Sequence, residues 1–309
     1  MLNIYYKTTK IKKQTKVQKI RDGVWIDIKK ATEDDLKKIS KITGLTYLDL
    51  KDSLDTHELP RIERIGDKII IFVRNPKEYN ETNDLIHTDL LTIIISNQYF
   101  ITISASENKI VKDILNQKID IATTQRGKLL VYLLLTISHE FTRSIKDVRN
   151  SVLSQERNIN KIKNSDIIEL IKNEDILNQY VSALIPMKNA FKNIYNGKYI
   201  HLYSEDQNLF DDLIISVRQS TDLCQINIKN IQTLRDSYQI IFTNKLNKVI
   251  QFLTAFTIIM TIPTIVASLY GMNVSLPLAD SPFAFLYVLV ISALISILFL
   301  FTFYKKRWL

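Results

Sequence analysis

The sequence predicts an α+β membrane protein: an N-terminal cytoplasmic α/β domain, then a long stalk helix continuous with the first of two C-terminal transmembrane helices. Three observations carry that expectation. Two uncharged stretches of 22 residues, Val249 to Tyr270 and Phe283 to Tyr304, lie near the C-terminus, and each reaches about 33 Å as a helix, enough to cross a bilayer. From Glu205 to Tyr270 there is no glycine, and no proline before Pro263. Strand-like and helix-like stretches alternate over the first 125 or so residues.

Composition sets the outer bounds. With 309 residues and 46% hydrophobic side chains, the chain can build its core without disulfides or structural metal. Cys224 is the only cysteine, which excludes an internal disulfide and a cysteine-rich zinc site. The net charge of +9 gathers at the ends: Lys7, Lys10, Lys12, Lys13, Lys16 and Lys19 precede the first acid, Asp22, and Lys305, Lys306 and Arg307 close the chain. That distribution argues for an arm near an anionic surface and against nucleic acid as a partner. Residues 1 to 30 hold no apolar run of the length a secretory signal needs.

In chain order, strand signals stand at Val24 to Ile28, Lys68 to Arg74, Leu90 to Ile95 and Tyr99 to Ile103, the last two separated by Ser96-Asn97-Gln98. Thr32 is placed to cap a helix that begins at Glu33, with Asp35 at the capping-box position, and a second helix is expected from Tyr47 to Leu54. Residues 1–125 thus read as the cytoplasmic α/β domain. Residues 126–204 read as a helical hairpin, running to Lys163 and then from Ser165 to Tyr195, where Pro186 should bend the second arm and Gly197 should end it. The run Leu129 to Ile137 is apolar but too short to span a bilayer, so it belongs to a core helix.

The stalk occupies 205–248, the first transmembrane helix 249–270, an external loop 271–282, the second transmembrane helix 283–304, and a basic tail 305–309. Arg235, Lys245 and Lys248 precede the first span and Lys305 to Arg307 follow the second, while the loop has no Lys or Arg and one acid, Asp280. Both termini are therefore expected in the cytoplasm, with the chain multi-pass in the cell membrane. Tyr270, Tyr287, Tyr304 and Trp308 stand where interfacial anchors belong.

Stepping alternately by three and four through the first span meets Asn247, Ile250, Thr254, Thr257, Thr261, Thr264 and Ser268. Continued backwards, the same register meets Thr243, Ile240, Asp236, Thr233, Lys229, Ile226, Asp222, Gln219, Ile215 and Asp212. This seam is polar where a dimeric zipper would be apolar. Two readings compete for it. Ser and Thr are tolerated in membrane helices because they bond to their own backbone and let helices pack closely. Alternatively, several copies surround an axis and the stripe lines a water-filled path, in which hydroxyls replace part of an ion's hydration. The periodicity favours the second.

At the end of the first span stands Tyr270-Gly271-Met272-Asn273, followed by a short connection, a second span and the tail Lys305-Lys306-Arg307-Trp308-Leu309. In that setting the chain resembles the CorA family of magnesium and cobalt transporters, the two-span Gly-Met-Asn metal ion transporters. Asn244-Lys245-Leu246-Asn247-Lys248-Val249 looks like the segment leading into that family's pore, and Trp25-Ile26-Asp27, Leu50-Lys51-Asp52-Ser53-Leu54 and Pro60-Arg61-Ile62-Glu63 look like its N-terminal domain.

The resemblance implies a homopentamer with a funnel-shaped cytoplasmic part and a pore lined by the first span. It implies Gly271, Met272 and Asn273 as the selectivity entrance. Mg2+ dehydrates reluctantly, so an entrance of uncharged oxygen acceptors such as Asn273 suits a hydrated ion, and Gly271 would permit a turn that exposes its own carbonyl. Asn273 capping the helix end is the plainer role, and is compatible with a ring of several copies. Pro263, flanked by Thr261 and Thr264, would free a carbonyl toward the path. Asn247 and Ile250 would form the inner constriction, and Asp236 would concentrate cations at the cytoplasmic mouth. Asp212 matches the position that senses cytoplasmic Mg2+ between subunits, with Asp211 sharing the role and a companion acid among Glu78, Glu81, Asp84 and Asp89.

The expected function is gradient-driven Mg2+ uptake, with Co2+ or Ni2+ as substitutes, through an axial pore closed by cytoplasmic Mg2+. A Zn2+ transporter on the same fold, coupled to protons, is the nearest alternative; a non-conducting membrane-anchored sensor or scaffold is the alternative of another class. The six glycines form no phosphate loop, and no nucleophile has a recognisable partner, so neither an ATP-driven pump nor an enzyme is expected. His57, His87, His139 and His201 have no metal-ligand spacing. Thr261 stands where some family members have a larger apolar residue, and the lone acid Asp280 makes the outer mouth weakly charged.

Overall fold

The computed structural model describes residues 2–9, 15–77, 86–116, 121–156, 163–199, 204–274, 277 and 281–308. It falls into two compact units, Met1–Thr233 and Leu234–Leu309. The first is built on seven strands: β1 Leu2–Tyr6, β2 Thr15–Lys16, β3 Val24–Ile28, β4 Arg61–Ile65, β5 Lys68–Pro76, β6 Thr88–Ile95 and β7 Tyr99–Ser104. Their order in the sheet is β2-β1-β3-β7-β6-β5-β4. Only β3 and β7 run parallel, with Ile26 opposite Ile101 and Asp27 opposite Thr102.

Both faces of this sheet are covered, so the central strands are buried almost throughout. All five residues of β3 are buried. On one face Ile26, Ile28, Phe72, Ile94, Ile101 and Ile103 pack with Leu36 and Ile39 of helix α1, Glu33–Thr43, and Leu50 of helix α2, Tyr47–Leu50. Thr32 caps α1, accepting from the Asp35 amide at 3.4 Å. The reciprocal capping box stands one helix later, where the Thr46 amide donates to Asp49 at 2.7 Å and the Asp49 amide to Thr46 Oγ1 at 3.3 Å. The helix expected over 47–54 changes character at Lys51, continuing as a 3₁₀ turn to Leu54. The expected strands are all present; the three that periodicity missed, β1, β2 and β4, lie toward the sheet edges, where a strand need not be continuously apolar.

Four further helices follow α2 before the last one: α3 Lys109–Asn116, α4 Arg126–Glu156, α5 Asn164–Tyr195 and α6 Ser204–Tyr270, with α7 Ala284–Lys305 closing the chain. The run Leu129 to Ile137 lies in α4 and contributes Leu129, Leu130, Val131, Leu133, Leu134 and Ile137 to the core. Phe141 of α4 meets Tyr180 of α5 edge-on at 5.3 Å. Burial pushes the Tyr180 phenol up to about 12. α5 continues through Pro186, ends at Tyr195, and Gly197 takes the left-handed conformation with φ 71° just beyond. α7 buries none of its residues, and in the span of α6 only Ala255 is buried. That exposure separates two membrane-type helices from the buried apolar run of α4.

The β3–β7 pair also holds a buried polar relay. Trp25 Nε1 donates to Thr102 Oγ1 at 2.9 Å, and the Thr102 hydroxyl donates to Asp27 Oδ1 at 2.8 Å. Asp27 is 1% exposed, its Oδ2 makes no hydrogen bond, and Lys29 Nζ stands 3.8 Å away. Burial raises the Asp27 pKa, against the opposing pull of Thr102 and Lys29. A raised folded-state pKa means the fold binds this proton more tightly than the unfolded chain. Its stabilising contribution is therefore present below the ordinary value of 3.8 and is lost as pH rises through the folded-state pKa. Asp27→Asn should accordingly raise the unfolding midpoint at pH 7, with an advantage over wild type that shrinks as the pH falls toward 4. Denaturation of the full chain in detergent across that range checks it, and an advantage independent of pH would contradict it.

Candidate functional site

The site is a helix face, and α6 has two faces of opposite character. In the first unit, Leu213, Val217, Ser220, Cys224, Asn227 and Ile231 are buried in steps of four and three. Hydroxyl pairs pin this side: Ser138 Oγ of α4 lies 2.8 Å from Ser216 Oγ, and Thr142 Oγ1 lies 2.8 Å from Ser220 Oγ. Gln232 Nε2 donates to Glu174 of α5 at 3.0 Å. The opposite stripe is the seam. Asp212, Ile215, Gln219, Asp222, Ile226, Lys229 and Thr233 are every one of them exposed. Ile215 and Ile226 are more than half exposed although apolar (52% and 57%), so this face has a register and no cover.

In the second unit the seam runs on through Asp236, Ile240, Thr243, Asn247, Ile250, Thr254, Thr257, Thr261, Thr264 and Ser268, all exposed. Exposure does not single it out here, because nearly all of the span is exposed; polarity does. Thr257 donates to the Leu253 carbonyl at 2.8 Å, Thr261 to Thr257 at 2.7 Å and Thr264 to Met260 at 3.3 Å. These are the backbone bonds expected of Thr in any membrane helix. They also turn each hydroxyl proton inward, leaving oxygen lone pairs, the atoms a cation needs, on the outer side. Pro263 lacks the N–H that would reach the Ile259 carbonyl. At about 100° per residue, Ile259 lies about 200° around the helix from both Thr257 and Thr261. The expectation that the proline frees a carbonyl toward the path is thus corrected: the freed carbonyl belongs to the other face.

α6 ends as the motif begins. The Gly271 amide donates to the Ala267 carbonyl at 3.0 Å, and the Met272 amide to Leu269 at 3.3 Å. Gly271, Met272, Asn273 and Val274 are all exposed. Asn273 makes no side-chain hydrogen bond to the described residues, so it does not cap the helix; its amide is open to solvent. Tyr270 Oη donates to the Pro277 carbonyl at 3.3 Å, tying the connection back to the helix end. Gly271 is not among the residues of positive φ, which corrects the expected glycine-only turn. A Cβ there would meet the Ala267 and Ser268 carbonyls at 3.4 and 3.5 Å, ordinary contact.

At the other end of α6 the two adjacent acids part company. The Asp211 carboxylate stands close enough to the Tyr195 hydroxyl to raise the phenol's pKa, and the Phe210 ring lies 6.3 Å from Tyr195 and 6.5 Å from Phe191. Asp211 is therefore engaged within its own chain, while Asp212 is exposed on the seam with no partner among the described residues. Adjacency in sequence gave no signal of that division. Of the proposed companion acids, Glu78, Glu81 and Asp84 lie outside the described residues, as do Asp280 and His201; Asp89 is described, half-buried on β6. No group of three His, Cys, Asp or Glu side chains that could hold a metal exists among the described residues.

The profile of the family described as "CorA-like Mg2+ transporter protein" matches residues 21–306. The Cobalt/magnesium transport protein CorA of Methanocaldococcus jannaschii is 26% identical over 294 residues, 93% of this chain and 91% of that protein. The protein of the same description from Thermotoga maritima is 19% identical over 311 residues, 98% of this chain and 88% of that one. The complete structure of the CorA magnesium transporter from M. jannaschii superposes with a TM-score of 0.84 at 23% identity, covering 100% of this chain and 99% of that one, which shows a shared fold.

The contrast between two glycines makes the geometry testable. Gly23 has φ 79°, and a Cβ on it would stand 2.6 Å from Thr124 Cγ2, whereas Gly271 carries neither constraint. Gly23→Ala should lower stability by more than about 1 kcal/mol, and Gly271→Ala should change it by less than about 0.5 kcal/mol. Thermal unfolding of both variants beside wild type measures the difference.

Proposed function

The chain belongs to the CorA-like Mg2+ transporter family, and from that membership we propose that it is a divalent-cation channel that admits Mg2+ down its gradient, with Co2+ and Ni2+ as substitutes. The observation that carries the reading is the oxygen-bearing seam of α6, which runs without a charged residue from Asn247 to the open amide of Asn273. Several copies, five by the family resemblance, would set these seams around one axis in a cell membrane. Residues 1–248 and the tail 305–309 would then lie on the cytoplasmic side, with 271–282 outside.

The physical steps follow from charge and hydration. Mg2+ holds its waters tightly, so the entrance must bind a hydrated ion. A ring of Asn273 amide oxygens accepts hydrogen bonds from those waters without the grip of a carboxylate ring. The C-terminal end of α6, at Tyr270, adds about half a negative charge per copy beside that ring. Thr254, Thr257, Thr261, Thr264 and Ser268 offer oxygens along the span. Ile250 would narrow the path with a branched apolar ring that closes by dewetting, Asn247 would rewet it, and Asp236 would gather the emerging cations. For regulation, Asp212 fits better than Asp211, which Tyr195 already engages. One exposed carboxylate holds no metal by itself, so Asp212 would act with an acid of a neighbouring copy, Asp89 being the described candidate. Metal there would join subunits whose acids otherwise repel, favouring the closed state when the cytoplasm is replete.

Uptake into proteoliposomes tests the reading. Mg2+ flux should fall at least about tenfold in Asn273→Ala, the loss of roughly one hydrogen bond's worth of selectivity at each transit, and should not respond to a proton gradient. In the same vesicles Asp212→Ala should keep conducting at internal Mg2+ concentrations that close the wild type. Proton-dependent Zn2+ flux without Mg2+ flux, or no flux from a folded oligomer, would contradict it.

A further inference from the structure

A hydroxyl in a membrane helix ordinarily donates to a carbonyl of its own helix. Thr257, Thr261 and Thr264 of α6 do so, and in α7 Ser292 donates to Leu289 at 2.9 Å and Thr302 to Phe299 at 2.7 Å. Ser296, in the middle of α7, is different. Its Oγ is enclosed and makes no hydrogen bond among the described residues. Lipid offers a hydroxyl at that depth no partner, so a polar group left bare there costs free energy.

The complementary group stands on α6. Pro263 has no N–H to give the Ile259 carbonyl, so one acceptor of the span lacks its ordinary donor. Within the span of α6 the positions that are not exposed fall on one stripe, which includes Ala255, Ile259, Ile262 and Val266. The matching stripe of α7 includes Val288, Ser292, Ser296 and Phe303. α6 and α7 are the described helices of the second unit, so these stripes are the sides they turn to each other. Depth agrees as well as direction. Ile259 lies about 16 Å along α6 from its end at Tyr270, and Ser296 about 18 Å along α7 from its start at Ala284, at about 1.5 Å per residue.

We propose that these two groups are partners: when α6 bends at Pro263, the Ser296 hydroxyl of α7 donates to the Ile259 carbonyl and latches the bend. The structure holds the two groups unjoined, and a proline is where a helix bends most readily. A hydroxyl on a neighbouring helix is one of the few donors that can satisfy a carbonyl freed by proline within a membrane. The latch lies behind the seam, because Ile259 is on the other face of α6. The turns beyond Pro263 carry Ser268 and lead into Gly271, Met272 and Asn273, so closing the latch sets the tilt of that end. That this tilt shapes an ion entrance rests on the proposed function; the hydrogen bond itself does not.

Solid-state NMR of the full chain in lipid bilayers tests the bond without reference to flux. Ile259–Met260 is the only Ile-Met pair in the sequence, so carbonyl-13C isoleucine combined with 15N methionine isolates the Ile259 carbonyl resonance. Ser296→Ala should move this resonance upfield, as loss of a hydrogen bond does, and Ser296→Thr, which keeps a hydroxyl, should leave it near its wild-type position. Pro263→Ala gives the carbonyl a backbone donor of its own. In that background Ser296→Ala should no longer move the resonance, since the two substitutions act on one bond. An Ile259 resonance unchanged by Ser296→Ala, a shift in Ser296→Thr as large as that in Ser296→Ala, or an equal shift with and without Pro263 would overturn the proposal.

Discussion

Along the same 67 residues α6 must bury one face and leave another open, and that division organises the chain. Leu213, Val217, Cys224 and Ile231 fasten the buried side, with Ser216 and Ser220 reaching hydroxyls of α4. A helix held in this way cannot rotate to hide Ile215 or Ile226 without exposing its apolar side and breaking those pairs. The seam therefore stays presented, at a register set by packing elsewhere. Absence of glycine keeps the register unbroken to Tyr270, and the one proline, Pro263, sets its lost hydrogen bond on the other face of the helix.

The same economy of charge recurs in the span. No ionised side chain stands between Val249 and Tyr270, so in the proposed pore attraction for a cation would come from dipoles: hydroxyl oxygens whose protons point to their own backbone, the last carbonyls of α6, and the Asn273 amide. Dipoles hold a hydrated divalent ion loosely enough to let it leave. Charge appears only farther along the seam, at Asp236, Lys229, Asp222 and Asp212, where water screens it. Arg74 is the opposite case, a full charge enclosed in the sheet-bearing unit with, among the described residues, only neutral acceptors within bonding distance.

Much of this was legible in the sequence because hydrophobic pattern and helix continuity are local properties. Val24 to Ile28 and Leu90 to Ile95 read as strands since both faces of the sheet are covered. Arg61 to Ile65 did not, since an edge strand can carry Arg61, Glu63 and Arg64, and there Arg61 pairs with Asp52 and Glu58. The motif Tyr270 to Asn273 was legible as a pattern, but its geometry was not: a glycine in a signature suggests left-handed backbone, and Gly271 uses none. Likewise nothing in Asp211-Asp212 reveals that Tyr195, sixteen residues earlier than Asp211, engages the first and leaves the second open.

The central claim is that the seam of α6 faces water within the membrane while its other side does not. Cysteine scanning measures this directly, because the chain's only native cysteine, Cys224, is buried. Thr257→Cys, Thr261→Cys and Thr264→Cys, with Ile259→Cys and Val266→Cys from the other side, would be reconstituted and exposed to a charged, water-soluble thiol reagent. Reaction at the three seam positions, with block of flux, and protection at Ile259 and Val266 is the predicted result. Equal reactivity on both sides, or reaction confined to Ile259 and Val266, would contradict it.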